Sequence, residues 1–360
     1  MALTTEPIAL WVVPVADLGG VARHVLDATR QGVPGWRLVV LCPQGPLAER
    51  LRTQGAAVTT GPFGPDAGLA ASVRTLRSTA RTLRPTIVHS HLAYADIVVA
   101  VTPLPRGMRR VTTEHGIAGD DAVYHGTAWR SRIMSTVHQL RLRRFDTVIA
   151  VSEATKNAML TKWRPRQEIT VIRNGVDLPE GAVRRDASDA DGAAPLRILS
   201  LSRLSPEKRI DCLIDAFALV LRTRPDATLT IAGTGPLEED LKAQVARLGL
   251  ADAVTFAGFV DAEKAMAETD VIAQLSVWEN CSYTLLDAVA RGLRVVASDV
   301  GGNSEIVSAE SLVSDPSDSV AVAAALADHG NDDAVVGAVA SVADMAAFTS
   351  AVYGVGTPLK

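Results

Sequence analysis

Residues 8–41 read IALWVVPVADLGGVARHVLDATRQGVPGWRLVVL, and they contain two apolar runs separated by a helical pattern. An apolar run at Ile8–Val13 is followed by Gly20–Arg30, whose apolar residues recur at helical spacing, and then by a second apolar run at Arg37–Leu41. A strand, a helix and a strand in this order predict two parallel strands joined by a helical crossover.

The same alternation continues along the rest of the chain. Helical spacing recurs at Gly68–Leu83. Further β-rich runs predict two series of strands, at Ile87–His89, Arg110–Thr113, Thr147–Val151 and Ile169–Ile172, and then at Arg197–Leu201, Thr228–Ala232, Val254–Ala257, Val271–Leu275 and Arg294–Ala297. Such alternation is typical of parallel sheets with helices on both faces. The sequence therefore predicts an α/β protein with two doubly wound domains.

The domain boundary is visible as a change of composition. A chain of 360 residues is long enough for two domains of about 150 residues each. Residues 177–195 are polar and rich in Gly, Pro and Asp, without periodicity. We expect a first domain at 1–178, a linker at 179–195 and a second domain at 196–339. An amphipathic helix within about 340–360 is expected to pack back on the first domain.

Composition argues against a metal or disulfide framework. The three cysteines, Cys42, Cys212 and Cys281, lie far apart without a CxxC or Cys/His spacing. The Asp-x-Asp triplet at 189–191 has the spacing of a metal motif but lies in the polar linker. We therefore expect no metal ion and no cofactor.

Charge is unevenly distributed along the chain. Residues 1–180 carry 22 Lys and Arg against 14 Asp and Glu, and the remainder carries 14 against 26. A basic half suggests contact with an anionic surface, and the stretch Trp129–Phe145 is a candidate basic amphipathic helix for a membrane. The alternative is an ordinary helix packed on the sheet with its arginines outward.

Neither a secretory leader nor an apolar run approaching the roughly 20 residues of a spanning helix is evident. We expect a cytoplasmic protein, peripheral on the inner face of the membrane if the basic half binds anionic lipid. No nucleic-acid partner is expected.

Three loops after predicted strands could meet an anionic ligand. Gly19 and Gly20 open the first helix, where backbone N–H groups are unpaired, although a tight turn would also explain them. The loop at 202–209, SRLSPEKR, carries Arg203 and Lys208, two charges suited to a diphosphate, with a solvated basic loop as the alternative. Small residues at 232–236, AGTGP, let a ligand lie against the backbone, although such loops are common.

The most specific string is residues 276–305, SVWENCSYTLLDAVARGLRVVASDVGGNSE. A carboxylate, Glu279, lies in a loop after a strand, and a second, Asp287, follows eight residues later inside a helix. The helix N-terminus near Cys281–Tyr283 suits phosphate. Carboxylates accept hydrogen bonds from sugar and ribose hydroxyls. The string as a whole indicates a site for a phosphorylated sugar.

Taken together, these motifs resemble the family 4 retaining glycosyltransferases, of GT-B fold. The matches cover about residues 8–353 and come from both domains in order. They are the acid–seven residues–acid signature at Glu279 and Asp287, the Gly-Gly loop, the Arg/Lys pair, Glu114-His115-Gly116, Val151-Ser152 and Asn174 to Asp177. The resemblance implies two Rossmann-like domains facing across a cleft.

The resemblance also implies roles for individual residues. Arg203 and Lys208 would neutralise the leaving diphosphate, Glu279 would contact donor sugar hydroxyls, and His115 would contact the sugar near the reacting carbon. Asp287 would bind the ribose. These four groups, His115, Arg203, Lys208 and Glu279, are the catalytic candidates. The donor-binding candidates are Gly19, Gly20, Gly233, Gly235, Asn280, Cys281, Ser282, Tyr283, Thr284 and Asp287, and the acceptor-side candidates are His91, Glu114 and Arg23.

Two positions depart from the family pattern. Asp287 stands where the family usually has Glu, so its reach to a ribose is shorter by one methylene. Ser282 stands where proline is frequent, which puts the rigidity of the loop in doubt. Neither departure removes a charge.

The sequence thus predicts a retaining, metal-independent transferase that uses a nucleotide diphosphate-sugar. Its acceptor would be a glycan, a lipid-linked sugar or a small molecule, in cell-envelope, exopolysaccharide or glycolipid synthesis. A nucleotide-sugar epimerase of the same fold and a non-catalytic nucleotide-sugar binder are the alternatives. The acid–seven–acid string favours transfer over epimerisation, and the presence of His115, Arg203, Lys208 and Glu279 argues against a non-catalytic binder.

Overall fold

The computed structural model describes residues 6–117, 128–178, 195–328 and 339–354. The chain divides into two compact units, one of Met1–Gly175 with Ala340–Lys360 and one of Val176–Val339. The predicted α/β class, with two Rossmann-like parallel sheets, is confirmed. The expected linker at 179–195 lies almost wholly outside the described residues.

Within the described residues, the first unit contains a seven-stranded parallel sheet in the order β3-β2-β1-β4-β5-β6-β7. Its strands are β1 (Ile8–Val12), β2 (Arg37–Cys42), β3 (Val58–Thr60), β4 (Ile87–His91), β5 (Arg109–Glu114), β6 (Thr147–Ala150) and β7 (Ile169–Val171). Its helices are α1 (Gly20–Gln31), α2 (Pro46–Thr53), α3 (Leu69–Leu83), α4 (Ala93–Val101), α5 (Ala128–Leu142) and α6 (Glu153–Trp163).

The described part of the second unit contains a six-stranded parallel sheet in the order β10-β9-β8-β11-β12-β13. Its strands are β8 (Arg197–Leu201), β9 (Thr228–Ala232), β10 (Val254–Gly258), β11 (Val271–Gln274), β12 (Arg294–Ser298) and β13 (Leu312–Val313). Its helices are α7 (Ile210–Thr223), α8 (Glu238–Arg247), α9 (Ala262–Ala267), α10 (Tyr283–Ala290) and α11 (Ser319–Ala327).

Continuous apolar runs form these strands because both faces of each sheet are covered by helices. Residues 9–12 of β1 are fully buried, with Trp11 and Leu10 on opposite faces of the sheet in separate apolar clusters. Among the residues that the structure describes, every helix is too short or too polar to cross a bilayer.

The last helix, α12 (Val342–Tyr353), belongs to the first unit. A capping box begins it, because the Ser341 hydroxyl accepts from the Asp344 N–H while the Asp344 carboxylate accepts from the Ser341 N–H. At its other end the Tyr353 hydroxyl accepts from the Trp11 indole at 2.8 Å and lies 2.6 Å from His89 Nδ1. Arg109 donates to the Tyr353 carbonyl at 2.6 Å. Helix α12 is thereby fixed to the centre of the first sheet.

The order of strands reverses at β1 in the first sheet and at β8 in the second. Crossover connections leave in opposite directions from such a strand, which opens a crevice at its carboxyl end. In the first unit, Gly19 lies in the loop after β1, His91 ends β4, and His115 follows β5. In the second unit, the loops that follow β8 and β11 carry Lys208 and Glu279. The topology therefore gathers the candidate residues of each unit at one edge of its sheet.

The loop after β12 is fitted tightly against the loop that carries Glu279. Gly301 has φ +54°, and a Cβ at this position would overlap the carbonyl oxygen of Glu279. Gly249 has a similar φ of +71°, but a Cβ there would meet no atom within 4 Å. An L-residue would strain the backbone at both positions, but only at Gly301 would its Cβ also clash with the Glu279 carbonyl.

Gly301→Ala is expected to destabilise the second unit more than Gly249→Ala does. The left-handed backbone costs roughly 1–2 kcal/mol in both variants, and the clash adds roughly 1–3 kcal/mol in the first. Urea denaturation followed by circular dichroism measures both values. Equal destabilisation by the two substitutions would contradict the packing of these loops.

Candidate functional site

In the second unit, Lys208 and Glu279 are brought together from loops 71 residues apart in sequence. Lys208 ends a short 3₁₀ helix, Pro206–Lys208, and its ammonium forms a close ion pair with Glu279 Oε1. The Ser276 hydroxyl donates to the same carboxylate oxygen at 2.8 Å. The Lys208 and Glu279 side chains are 20% and 13% exposed, so the pair is largely shielded but still reachable from solvent.

Arg203 differs from Lys208 in its exposure to solvent. Its side chain is 70% exposed and donates to Glu207 Oε1 at 2.9 Å. Partial burial works to raise the pKa of Glu207, yet the Ser205 hydroxyl at 2.7 Å, a backbone N–H and the charges of Arg203 and Lys208 lower it below its usual range. Glu207 therefore remains ionised and holds the exposed guanidinium beside the Lys208 loop.

Gly233 and Gly235, in the loop after β9, lie too close to a neighbouring backbone to carry a side chain. A Cβ on Gly233 would overlap the Ser202 carbonyl, and one on Gly235 would overlap the Leu204 carbonyl. The two loops are also joined by the Leu204 N–H, which donates to the Thr234 carbonyl at 3.0 Å. These glycines allow the loop after β9 to pack on the loop that carries Arg203, and their predicted contact with a donor stays a prediction.

Ser282 caps helix α10, where the family often has proline. Its hydroxyl accepts from the Leu285 N–H at 3.4 Å and donates to Gln274 Oε1 at 2.8 Å. The serine therefore fixes the start of the helix by hydrogen bonds rather than by a ring. Of the other donor-binding candidates in this segment, Asn280 and Tyr283 are buried and Cys281 and Thr284 are half-buried.

Asp287 lies inside α10 and is buried. Arg291, one helical turn later, places its guanidinium 3.6 Å from the Asp287 carboxylate. The spacing of four residues is that of a helical ion pair, so this partner could have been found from the sequence. Asp287 thus carries a counter-charge of its own within the second unit.

In the first unit, Gly19 and Gly20 are exposed at the start of α1. Gly19 is extended, and its carbonyl accepts the first helical hydrogen bond, from the Arg23 N–H at 2.8 Å. Arg23 pairs with Asp27 at 3.3 Å within the same helix. The N–H groups of this first turn point away from the helix body, as an anion site requires.

Three histidines gather beside this helix. The sequence predicted two of them, His91 and His115, as separate site residues and gave no signal for the third, His24. His91 ends β4, His115 follows β5, and His24 comes from α1. His91 Nδ1 lies 2.8 Å from His115 Nε2, and one ring nitrogen from each of the three lies within 4.8 Å of the others. His91 was predicted on the acceptor side; it is fully buried in the first unit and forms a hydrogen bond with His115, and its contact with an acceptor stays a prediction.

Burial keeps these rings neutral. Desolvation lowers the pKa of His24 to about 4, although the hydrogen bond between His24 Nδ1 and the accepting Asn174 Oδ1 acts to raise it. Desolvation, together with repulsion from the neighbouring imidazoles, also holds the pKa of His91 and of His115 well below the usual range. His115, the half-buried member, is therefore a neutral donor or acceptor toward a ligand.

Glu114 was also predicted on the acceptor side, and that role stays a prediction. Its carboxylate is buried and accepts from the Arg141 guanidinium at 2.7 Å, while the same guanidinium forms a close ion pair with Asp96. Desolvation raises the pKa of Glu114 and of Asp96, and the charge of Arg141 opposes it. Glu114 holds the end of β5 in place directly before His115.

Arg141 also changes the interpretation of the basic stretch at 129–145. It points inward, whereas Arg143 and Arg144 are exposed. Leu140 is 54% exposed, and Phe145 is buried. The side chains of residues 128–133 and 135 lie outside the described structure. Contact of this stretch with a membrane stays a prediction.

Comparison with known proteins gives consistent matches over most of the chain. A family model described as Glycosyltransferase Family 4 matches residues 18–180, and one described as Glycosyl transferases group 1 matches residues 195–332. A glycogen synthase of Mycobacterium tuberculosis is 30% identical over 334 residues, which is 82% of this chain and 78% of that protein.

Two further similarities concern part of the chain or the fold alone. A GDP-mannose-dependent alpha-(1-6)-phosphatidylinositol monomannoside mannosyltransferase of Mycolicibacterium smegmatis is 33% identical over 233 residues, 57% of this chain and 56% of that protein. The crystal structure of Anabaena Alr3699/HepE in complex with UDP-glucose has a TM-score of 0.74 at 24% identity, covering 96% of this chain and 94% of that chain.

Arg141→Met is expected to destabilise the first unit by about 3–5 kcal/mol, because Asp96 and Glu114 would be left buried without their counter-charge. Arg143→Met is the matched control, since it makes the same substitution at an exposed position of the same segment and should change stability by no more than about 0.5 kcal/mol. Tryptophan fluorescence in urea measures both, because four of the five tryptophans lie in this unit. Similar losses in the two variants would contradict the buried network.

Proposed function

The protein belongs to the glycosyl transferases group 1, GT-B enzymes that transfer sugars, and we propose that it moves a sugar from a nucleoside diphosphate donor to an acceptor hydroxyl with retention at the anomeric carbon. The observation that carries this proposal is the shielded Lys208–Glu279 pair at the carboxyl edge of the second sheet. A cation and a carboxylate side by side match the two halves of such a donor, its diphosphate and its sugar.

A nucleotide-sugar donor is supported by two of the similar proteins. The mycobacterial mannosyltransferase is GDP-mannose-dependent, and the Anabaena structure holds UDP-glucose. Because those two donors differ in base and in sugar, they support the class of donor and leave its identity open. In this chain, the parts common to such donors would meet Lys208 and Arg203 of the second unit.

The chemical task of the site is to stabilise the leaving diphosphate. The Lys208 ammonium is paired with Glu279 and donates to the Ser276 hydroxyl at 3.4 Å, so its charge needs little reorganisation when the sugar–phosphate bond breaks. The Arg203 side chain is exposed to solvent beside the Lys208 loop, and its guanidinium can turn from Glu207 to the diphosphate. In the proposal these two cations supply the positive charge for departure, and no metal ion takes part.

Glu279 has a second use in the proposed reaction. Its Oε1 is occupied by Lys208 and Ser276, and the carboxylate has further lone pairs that can accept from hydroxyls of the donor sugar. The contact would orient the sugar over the same cation that receives the diphosphate. Positioning of this kind contributes much of the rate when reacting groups must be aligned.

His115 is proposed to contact the sugar near the reacting carbon. Its neutral imidazole is bonded to His91 through Nε2, which leaves Nδ1 as the atom directed elsewhere. For retention we propose attack of the acceptor hydroxyl on the face that the diphosphate leaves. A phosphate oxygen of the leaving group would then take the acceptor proton.

Asp287 is proposed to bind the donor ribose, with Arg291 as its counter-charge at 3.6 Å. The shorter aspartate would reach ribose hydroxyls directly or through a water molecule. The loop residues from Asn280 to Thr284 would place backbone N–H groups of the α10 N-terminus toward the diphosphate.

For the acceptor, we propose a cell-envelope glycan or glycolipid and a cytoplasmic place for the reaction. The similar glycogen synthase supports a glycan acceptor, and the similar phosphatidylinositol monomannoside mannosyltransferase supports a glycolipid acceptor. Peripheral contact with an anionic membrane is part of this proposal. Its support is the excess of basic residues in the first half of the chain, including the exposed Arg143 and Arg144.

Lys208→Ala is expected to lower kcat about 10²–10³-fold, because a charge that faces a developing anion in a shielded site is worth roughly 3 kcal/mol. Release of nucleoside diphosphate in the presence of donor and acceptor measures the rate. Lys242→Ala is the matched control in the same unit. Lys242 is also ion-paired, to Glu238 at 2.8 Å, but lies on exposed α8.

The control should keep its rate within about threefold of the unaltered protein. A Lys208→Ala rate within the same range would remove Lys208 from the reaction. Formation of an epimerised free donor would instead support the epimerase alternative. Donor binding without turnover, across a panel of acceptors, would support a non-catalytic binder.

Product stereochemistry tests the proposed course of the reaction. With an α-linked nucleotide sugar, the new glycosidic bond is expected to be α, because donor departure and acceptor attack occur on one face. Proton coupling at the anomeric carbon, measured by NMR on the purified product, reports the configuration directly. A β-linked product would contradict retention without affecting the assignment of Lys208.

A further inference from the structure

A basic pocket lies in the first unit, at the edge of the sheet where β4 and β5 begin. It has a volume of about 540 Å³, and its lining includes Arg81, Arg84, Thr86, Arg106 and Met108. Arg81 lies in the last turn of α3, Arg84 caps the C-terminal end of this helix, and Arg106 comes from the loop before β5. Three exposed arginines from two separate segments therefore share one concavity.

Strand pairing holds these two segments side by side. Ile87, at the start of β4, pairs with Arg109 at the start of β5, and the Arg109 N–H donates to the Thr86 carbonyl at 3.0 Å. The residues that come just before the two strands, Arg84 and Arg106 among them, are therefore brought together by the sheet itself. The pocket is part of the fold because the register of two neighbouring strands sets it.

The positive charge of the pocket is not neutralised by the protein. Within the part of the chain that the structure describes, its three guanidinium groups form no side-chain hydrogen bond and no ion pair. From residue 67 to residue 113 the sequence has seven arginines and a single acid, Asp96. Asp96 is buried and forms its ion pair with Arg141, so it cannot serve as the counter-charge of the pocket.

Helix α3 explains only part of this arrangement. The C-terminal end of a helix carries a partial negative charge and favours a nearby cation. Arg81 and Arg84 lie at that end, but their side chains donate to no carbonyl among the described residues. The third arginine, Arg106, belongs to another segment, so the helix end does not account for the group as a whole.

Arg84 occupies a backbone position that is unfavourable for arginine. Its φ of +48° and ψ of +54° are left-handed, and glycine adopts this conformation more easily at the end of a helix. Arg164 ends α6 in the same way, with φ +45° and ψ +58°, and a proline follows each of the two arginines. Glycine would relieve the same strain at both positions, whereas only Arg84 lines the pocket.

We propose that Arg81, Arg84 and Arg106 bind a phosphate group that carries two negative charges, as in a phosphate monoester or a diphosphate. Guanidinium groups bind phosphate oxygens through paired N–H donors, and this geometry favours arginine over lysine. Thr86, another residue of the lining, has a hydroxyl that can donate to a phosphate oxygen. A doubly charged group matches three unpaired cations better than a phosphodiester with its single charge.

The pocket is separate from the candidate functional residues of this unit. It lies where β4 and β5 begin, whereas His91 ends β4 and His115 follows β5. His91 comes five residues after Thr86, which is about 16 Å along an extended strand. The proposed ligand is therefore an additional one, distinct from the donor and the acceptor of sugar transfer, and its binding does not rest on the proposed function.

Isothermal titration calorimetry with inorganic pyrophosphate tests the pocket on the full chain. The unaltered protein is compared with Arg84→Gly and with the matched control Arg164→Gly. We expect Arg84→Gly to weaken pyrophosphate binding at the pocket by at least about tenfold, because one of three charge-assisted contacts is lost. Arg164→Gly should leave it unchanged. Pyrophosphate that binds beside Lys208 contributes equally to all three proteins, so the comparison isolates the pocket.

The two glycine variants also separate binding from stability. Both should unfold at the same Tm as the unaltered chain or higher, because glycine relieves the left-handed backbone. Thermal denaturation followed by circular dichroism measures this. Arg106→Gln is a second variant, independent of the helix end, and should weaken pyrophosphate binding as Arg84→Gly does. Full pyrophosphate affinity in Arg106→Gln would contradict the proposed set of ligands.

A soluble phosphate and a lipid headgroup offer the same chemistry, and vesicles distinguish these two sources. Phosphatidylcholine vesicles that contain phosphatidic acid, whose headgroup is a phosphate monoester, are sedimented with each protein. Co-sedimentation that Arg84→Gly reduces and Arg164→Gly retains would assign the pocket to a lipid headgroup. Pyrophosphate binding that depends on Arg84, without such an effect on vesicles, would assign it to a soluble ligand. Equal behaviour of Arg84→Gly and Arg164→Gly with both probes would overturn the site.

Discussion

Parallel strand pairing is the constraint on which the rest of the structure depends. In a parallel sheet every strand ends at the same edge, so loops that are far apart in the chain are forced to meet there. This brings Lys208 to Glu279 in the second unit and His91 to His115 in the first. The free-energy cost of placing polar residues at these edges is offset by the apolar cores that the strands and the covering helices form.

A second regularity is that the shielded charges at these edges come with counter-charges. Lys208 has Glu279, Asp287 has Arg291, and Arg141 has Glu114 with Asp96. Burying an ion without a partner is costly, so a ligand site built from shielded charges needs such pairs when the ligand is away. The pairs differ in exposure. The Arg141 side chain is fully buried and stabilises the fold, whereas the Lys208 side chain is partly exposed to solvent and suits a diphosphate ligand.

The sequence alone predicted much of the fold, because continuous apolar runs report buried parallel strands. Strands β8 and β9 have the predicted bounds, and most others differ by one or two residues at an end. Strands β3 and β13 were missed, since three and two residues are too few to show a pattern. The role of Arg141 was missed because a buried arginine in a basic stretch looks like its exposed neighbours. The histidine cluster depends on three elements meeting in space, which spacing along the chain does not encode.

Determination of a crystal structure with a bound nucleoside diphosphate tests most directly whether the Lys208 loop receives the leaving group. The diphosphate is expected to contact Lys208 Nζ, with Arg203 turned from Glu207 toward it and Glu279 still beside the lysine. A diphosphate bound elsewhere, with Lys208 paired only to Glu279 and Arg203 left in solvent, would contradict this account of the site.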